Sequence, residues 1–550
     1  MPYLFVFLCI LAAAILLYIN QSNRRKSKRL LKIRQRWGMP KIGYTNFTRL
    51  GSYLAVNTEE GYQQLSNQTK ADIDFDEVFC CIDRTNTPVG QQYLYDLLSK
   101  PGNDAAKLAL LEQQTTYFSE NTTTREETQL ILSALENNDA AYISSLLEAD
   151  LPLRPSWYKL VIVSVVGIGV LLVLSIFFPF FLILAFLPLF FNVFLHYWNK
   201  NNTARFFRSI PQLHVLMEVT RGLCAKELPF NNEEALQSLA RLKTFKRKSS
   251  FITFGGSEGQ DELSKVFSYL LEYLKAFLLV EFIAFYAVAD ELRKRKEDIL
   301  TIFRYTGNID TVISVASLRA GSMETCAPSV LPVSRELKAT GLCHPLIPGC
   351  TPNDIQVDGK SVLITGSNMS GKTTFLRTVA INIVLAQTIH TCFAASFQAP
   401  FFRLFSSIRI DDNLQDGRSY YFQEVEVMHS LIKEAVPGPQ SFFILDEVFK
   451  GTNTLERIAA ASAILSYLNK YNNLVFVSTH DIELSSMLSN DYELYHFSET
   501  VIDEQLHFDH KLKPGQLTTR NAIKLLEISG YPKEIIDEAT GISSKLRIQL

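Results

Sequence analysis

SVLITGSNMSGKTT, residues Ser361–Thr374, decides how the rest of the chain is read. A short β-branched run leads to Gly366, then four residues, then Gly371, Lys372 and Thr373, and the chain goes on in a helical pattern. This is G-x-x-x-x-G-K-[ST] between a strand and a helix, the setting in which that pattern cradles phosphates. The glycines let the backbone N–H groups of Ser367, Asn368, Met369 and Ser370 turn inward, and the following helix points its positive end at the same place. Lys372 supplies a point charge for the β- and γ-phosphates of a nucleotide. Thr373, backed by Thr374, offers a hydroxyl to Mg²⁺.

Two further strand patterns complete a site. SFFIL, Ser441–Leu445, ends in Asp446 and Glu447. Beside a phosphate loop, Asp446 would hold Mg²⁺ and Glu447 would orient or deprotonate an attacking water. LVFVS, Leu474–Ser478, ends at Thr479 and His480. Ligands bind at the carboxyl ends of strands in open α/β sheets, so His480 is placed to sense a γ-phosphate. Each signal alone is weak; the three in order predict an NTPase site.

The 550 residues have room for three or four domains. A hydrophobic share of 47% against 20% charged describes a core-forming chain. The net charge of −2 excludes a global basic field for nucleic acid, so any DNA contact would need a local patch. Eight scattered cysteines without C-x-x-C suggest neither a zinc site nor a disulfide framework.

Tyr3–Ile19 is an uncharged apolar run, followed by eight basic residues between Arg24 and Arg36 with no acid among them. A signal peptide would carry its charge ahead of the run, so a membrane anchor with the rest of the chain cytoplasmic is expected. The basic run would meet anionic lipid or, as an alternative, DNA. Lys159–Trp198 is a second apolar stretch, interrupted by Pro179 and Pro188. It reads as two spans and a tight turn, the alternative being a buried helical hairpin. Three spans are expected, at 3–19, 159–178 and 180–198. Between these, the chain reads as helical. Thr85 or Asn86 could cap a helix over Val89–Leu98, Asp261–Arg304 reads as a pair of long helices, and Ala276–Ala289 as core or interfacial. From about Leu331 strands and helices alternate, as a mostly parallel sheet requires.

ITGSNMSGKTTFLRTVA, DDNLQDGRSYYFQEVE, ILDEVFKGTNTLE and STHDIEL, in that order, resemble the ATPase domain of the DNA mismatch repair MutS family. The resemblance implies a homodimer with composite sites, in which Gly417, Arg418 and Ser419 of one subunit reach the γ-phosphate on its neighbour. It makes Gly451–Thr454 a subunit-contact loop and Lys513–Ala539 a helical end that packs two ATPase domains together. More faintly, IDRTNTPVGQQYL from Ile82 and LEQQTTYF from Leu111 resemble the start of that family's helical core. Asn308–Val330 resembles its end, and His344 the opening of the ATPase part. Phe75-Asp76-Glu77 matches the family's Phe-x-Glu wedge in letters only, and no room is evident for the domain that would aim it. Cys350 stands near where the family offers an aromatic to adenine.

The expected architecture is thus α+α/β: a membrane-anchored helical core and lever, then a P-loop α/β ATPase domain of ABC/MutS type. The boundaries run 1–40 for the anchor, 41–157 for the first part of the core, 158–198 for the hairpin, 199–330 for the second part and 331–550 for the ATPase domain. The function implied is ATP binding and hydrolysis, with DNA binding in mismatch repair. The alternatives are a membrane ATPase with a transport-like role and a DNA tether.

Overall fold

The computed structural model describes all residues except 1, 44, 60, 149–152, 254–276, 278, 368, 410–419, 450, 503–504, 518–522, 524–525, 528 and 550. Two units make up the chain. One takes residues 1–59, 83–96 and 113–320; the other takes 60–82, 97–112 and 321–550.

The first unit is helical. Its longer elements include α1 (Pro2–Arg36), α2 (Pro88–Ser99, which opens here), α3 (Tyr158–Ser175), α4 (Phe180–Cys224), α5 (Val280–Lys294) and α6 (Lys296–Arg319). From Asp298 to Leu318, α6 is buried on nearly every side, which makes it the central post of this unit. Tyr53 stacks on its Phe303 at 4.6 Å between ring centroids. Phe282, Phe285, Tyr286, Val288 and Ala289 of α5 are buried, so of the two expectations for this stretch, core or interfacial, its described part takes the first. The partner helix expected before α5 falls largely on 254–276, outside the described residues.

The start of α2 differs from expectation. Thr87, not Thr85 or Asn86, caps the helix, its Oγ1 accepting from Gly90 N at 2.9 Å, and Pro88 takes the first helical position. The reason lies far along the chain. Buried Asp310 accepts from Asn86 N, Asn86 Nδ2, Thr87 N and Thr87 Oγ1 at 2.7–2.9 Å, which draws Asn86 away from any local capping role.

The expectation of three spans and a multi-pass membrane protein is corrected. Among the described residues one helix, α3, is long and apolar enough to cross a bilayer. The apolar run does not divide into two spans. After the turn that follows α3, its helical remainder, Phe180–His196, falls short of that length, and α4 continues as a more polar helix to Cys224. The span expected at 3–19 lies on α1, mostly over side chains outside the described residues. The basic run that follows it meets protein carboxylates: Arg34 makes two 2.8 Å bonds to Glu126, while Lys32 and Arg36 reach Glu136 at 2.7 and 3.3 Å.

The second unit is mixed α/β, with β1 (Ser329–Val330), β2 (Glu336–Leu342), β3 (Asn353–Asp358), β4 (Ser361–Thr365), β5 (Ser396–Ala399), β6 (Arg403–Ser407), β7 (Ser441–Asp446), β8 (Leu474–Thr479), β9 (Tyr492–Ile502) and β10 (Gln505–Pro514). A six-stranded sheet has the order β10-β9-β4-β8-β7-β6, parallel except for β10. A four-stranded mixed sheet has the order β1-β5-β2-β3. The inner strands β4 and β8 are buried along their whole length, as continuous apolar runs in a parallel sheet should be. The helices α7 (Lys372–Thr388), α8 (Tyr420–Glu434) and α9 (Thr454–Leu468) accompany the sheet. Of these, α8 and α9 bury Met428, Leu431, Ala461 and Leu465 against Leu363, Phe443, Leu445 and Val477.

Candidate functional site

The carboxyl ends of β4, β7 and β8 lie side by side, because the register pairs Thr365 with Thr479 and Asp446 with Ser478. After β4 the chain turns through Gly366 (φ 152°), Met369 (φ 68°) and Gly371 (φ 114°) before α7 begins at Lys372. A side chain at Gly366 would meet Phe497 O and Ser370 Oγ at 2.9 Å, so only glycine lets this loop lie against β9. Met369 is 83% exposed at the loop's tip. Asn368 lies outside the described residues. Thr374 follows in the first turn of α7 and borders the cavity described below.

Lys372 is buried and donates to Gly366 O at 2.8 Å and Ser367 O at 2.9 Å, so the loop curls around its own ammonium group. Thr373 Oγ1 donates to Asp446 Oδ2 at 2.8 Å, and Ser478 Oγ hydrogen-bonds Asp446 Oδ1. Glu447 adopts a left-handed backbone (φ 56°), with its N–H bonded to Ser478 O at 3.0 Å. Strain of this kind persists where the surroundings enforce it, and here it turns the carboxylate toward His480. His480 Nε2 lies 2.8 Å from Glu447 Oε1 and 3.4 Å from Lys372 Nζ. An ammonium only donates, so an Nε2–H that donates to Glu447 leaves the longer contact as mere proximity.

Lys372, Thr373, Asp446, Glu447 and His480 are therefore brought together. Ser419, with Gly417 and Arg418, lies outside the described residues. Asn453 caps α9 through a 3.1 Å bond from Leu455 N, and Gly451 N bonds Glu424 Oε2 at 3.3 Å. Phe75 is buried in the second unit, so it is a core residue there and not an exposed wedge.

A cavity of about 330 Å³ opens over the loop. Lys372, Thr373 and Glu447 line its floor, and Ile347, Cys350, Phe497 and His510 line its walls. Its size suits a nucleotide-sized ligand. Sequence reasoning missed His510 and Phe497. His510 is in the left-handed region (φ 52°) at a β10 bulge, which aims its Nδ1 at Ser370 O, 3.1 Å away. Behind Cys350, burial pushes the Cys343 thiol up to about 12, which leaves it protonated.

The oxygen donors fit a hard divalent cation. A threonine hydroxyl and a carboxylate meet on facing elements, and among the described residues no cluster of three or more His, Cys, Asp or Glu could hold a metal alone. That is the donor set of a cation shared between one or two protein oxygens and a phosphate ligand.

Fold and geometry together define a class: a mixed α/β protein with a glycine-bracketed turn at the carboxyl ends of parallel strands. Residues 362–547 match the family described as MutS domain V. Over that part the chain is similar to the MutS family. It is similar to the DNA mismatch repair protein MutS of Thermus thermophilus, 28% identical over 266 residues, covering 48% of this chain and 32% of that one. The protein of the same name from Natronomonas pharaonis is 28% identical over 317 residues, covering 56% and 36%. That of Streptococcus sanguinis is 26% identical over 361 residues, covering 62% and 42%. The matched part thus spans well under half the length of these relatives.

Proposed function

We propose that this chain binds and hydrolyses ATP at the strand-end site and works as a pair of chains, on DNA, the material that its relatives' name, DNA mismatch repair protein, gives for them. The reading stands on one feature: Thr373 meeting Asp446, and His480 meeting Glu447, around a buried Lys372 at three adjacent strand ends. Lys372 and the loop N–H groups bind the β- and γ-phosphates. Thr373 and Asp446 would hold Mg²⁺, which when bound offsets charge on the phosphate oxygens. Glu447 takes or orients the proton of the attacking water, and His480 holds Glu447 in place and lies where a γ-phosphate would be felt. Ser419 would complete the partner chain's site, and closure of the pair on ATP would move the helical unit.

Glu447→Gln removes the base while keeping the shape. Binding of ATP should persist and turnover should fall by about 10²- to 10⁴-fold, as for loss of a general base. Full turnover in the variant would refute the assignment. Run with ATP on matched and mismatched duplexes in a gel shift, the same protein reports on the DNA part, since a closed, non-hydrolysing pair should hold mismatched duplex more tightly.

A further inference from the structure

Ser367 is the first residue inside the loop, and two of its atoms do different work. Its carbonyl accepts from Lys372 Nζ at 2.9 Å, while its hydroxyl donates to Glu499 Oε2 at 2.7 Å. Glu499 belongs to β9 and is 8% exposed. The last β4–β9 pair is Thr365 with His496; there β4 gives way to the loop, while β9 runs on. That overrun puts Phe497 O against Gly366 and brings Glu499 to the next loop residue.

A buried carboxylate beside a loop that takes up polyphosphate is unfavourable by charge alone, since like charges repel more strongly away from water. Its placement therefore calls for a task, and the hydrogen bonds supply one. A loop residue held through one backbone atom alone can shift by small changes in φ and ψ, and a second anchor through its side chain restricts that shift. Fixed by Glu499, Ser367 keeps its carbonyl on the lysine.

We infer that Glu499 is a positioning residue for ATP: it holds the Ser367 hydroxyl, Ser367 holds the Lys372 ammonium, and the ammonium is thereby set for the triphosphate. The inference rests on the nucleotide-site reading above and adds a residue that lies outside the phosphate-loop and strand-end patterns.

The test is titration of the full chain with Mg²⁺ and a fluorescent ATP analogue, beside steady-state hydrolysis. Ser367→Ala and Glu499→Ala should each weaken binding by about 5- to 30-fold, the scale of one hydrogen bond to a charged group, with the loss falling on KM more than on kcat. Glu499→Gln keeps an acceptor oxygen and should recover to within about threefold of wild type. The double alanine variant should be no weaker than the worse single one, because both break the same link. Should Glu499→Ala not fold, Ser367→Ala, which removes a lone hydroxyl, carries the measurement. Alanine variants that bind normally while Lys372→Ala does not would overturn this inference alone, as would a Gln variant no better than Ala. If Lys372→Ala itself binds ATP normally, the nucleotide-site reading falls, and this inference falls with it.

Discussion

His344 shows how a single buried side chain ties stability to pH. It is 4% exposed, its Nδ1 accepts from Leu346 N at 3.3 Å, and its Nε2 has no hydrogen-bond partner among the described residues. Burial pushes its pKa down to about 4; Asp74 works against that shift, and Arg377 adds to it. In the unfolded chain the imidazole protonates near its ordinary 6.5, so as pH falls the unfolded state takes up the proton first. The folded state's advantage is whole above about pH 6.5 and is lost between there and about pH 4. Between pH 7 and pH 5 this amounts to about 2 kcal/mol. Thermal melts should therefore show the wild type losing more stability over that interval than His344→Gln. Equal losses would mean that another group controls the acid limb. The identity of this histidine was legible in sequence, but its burial was not. Burial comes from the folded surroundings, and the charges that act on it, Asp74 and Arg377, are distant in sequence, so no local pattern near residue 344 announces either.

At the scale of elements, the capping of α2 shows what a local pattern can and cannot say. A helix over Val89–Leu98 was readable from the polar residues before it and from Pro101 just past its end, and it forms as Pro88–Ser99. The identity of the cap was not readable, because Asp310 lies more than 220 positions away and takes four donors from Asn86 and Thr87. The strand ends of the site were far more legible. Their residues follow continuous apolar runs whose length and burial are local properties, whereas His510 depends on a bulge that sequence does not mark. The α2 junction makes a sharp prediction. A methyl group on Gly90 would sit 2.2 Å from Asp310 Oδ2 and 2.6 Å from Asp310 Cγ. That carboxylate is fully buried and held by four hydrogen bonds, so it cannot swing aside without leaving donors unpaired. Gly90→Ala should thus destabilise the first unit by about 2–4 kcal/mol, through overpacking and broken buried hydrogen bonds. Urea unfolding followed by circular dichroism measures it, and a change under about 0.5 kcal/mol, the level of an ordinary surface substitution, would refute the packing described.

On the scale of the whole chain, the second unit is not the run 321–550 alone, since residues 60–82 and 97–112 belong to it. Their contribution is specific. In the six-stranded sheet β6 is an edge, and an uncovered edge is a template for another strand. Gln63 covers it with a reciprocal pair, Nε2 to Leu404 O and Leu404 N to Oε1, both at 2.7 Å. Asp72 takes up Ser406 Oγ at 2.7 Å, Ile408 N at 3.1 Å and Arg409 N at 2.8 Å where the strand ends. Burial raises the Asp72 carboxyl, against which these donors act. Asp74 adds ion pairs to Arg377 at 2.9 Å and Arg409 at 2.8 Å. The two ends of each contact stand more than 300 positions apart, so nothing in the sequence near β6 signals its cover. Gln63→Ala with Asp72→Ala in the full chain uncovers the edge and leaves two buried backbone N–H groups unpaired, at about 1–3 kcal/mol each. The melting temperature of the second unit should fall by about 5–15 °C, at the few degrees per kcal/mol expected for its size. A fragment of 321–550 lacks the cover altogether and should elute from size exclusion as aggregates, not as a monomer. If the fragment stays monomeric and melts with the full chain, residues 60–82 are ornament to this fold; if it aggregates and the double variant melts early, they are the edge's own lid.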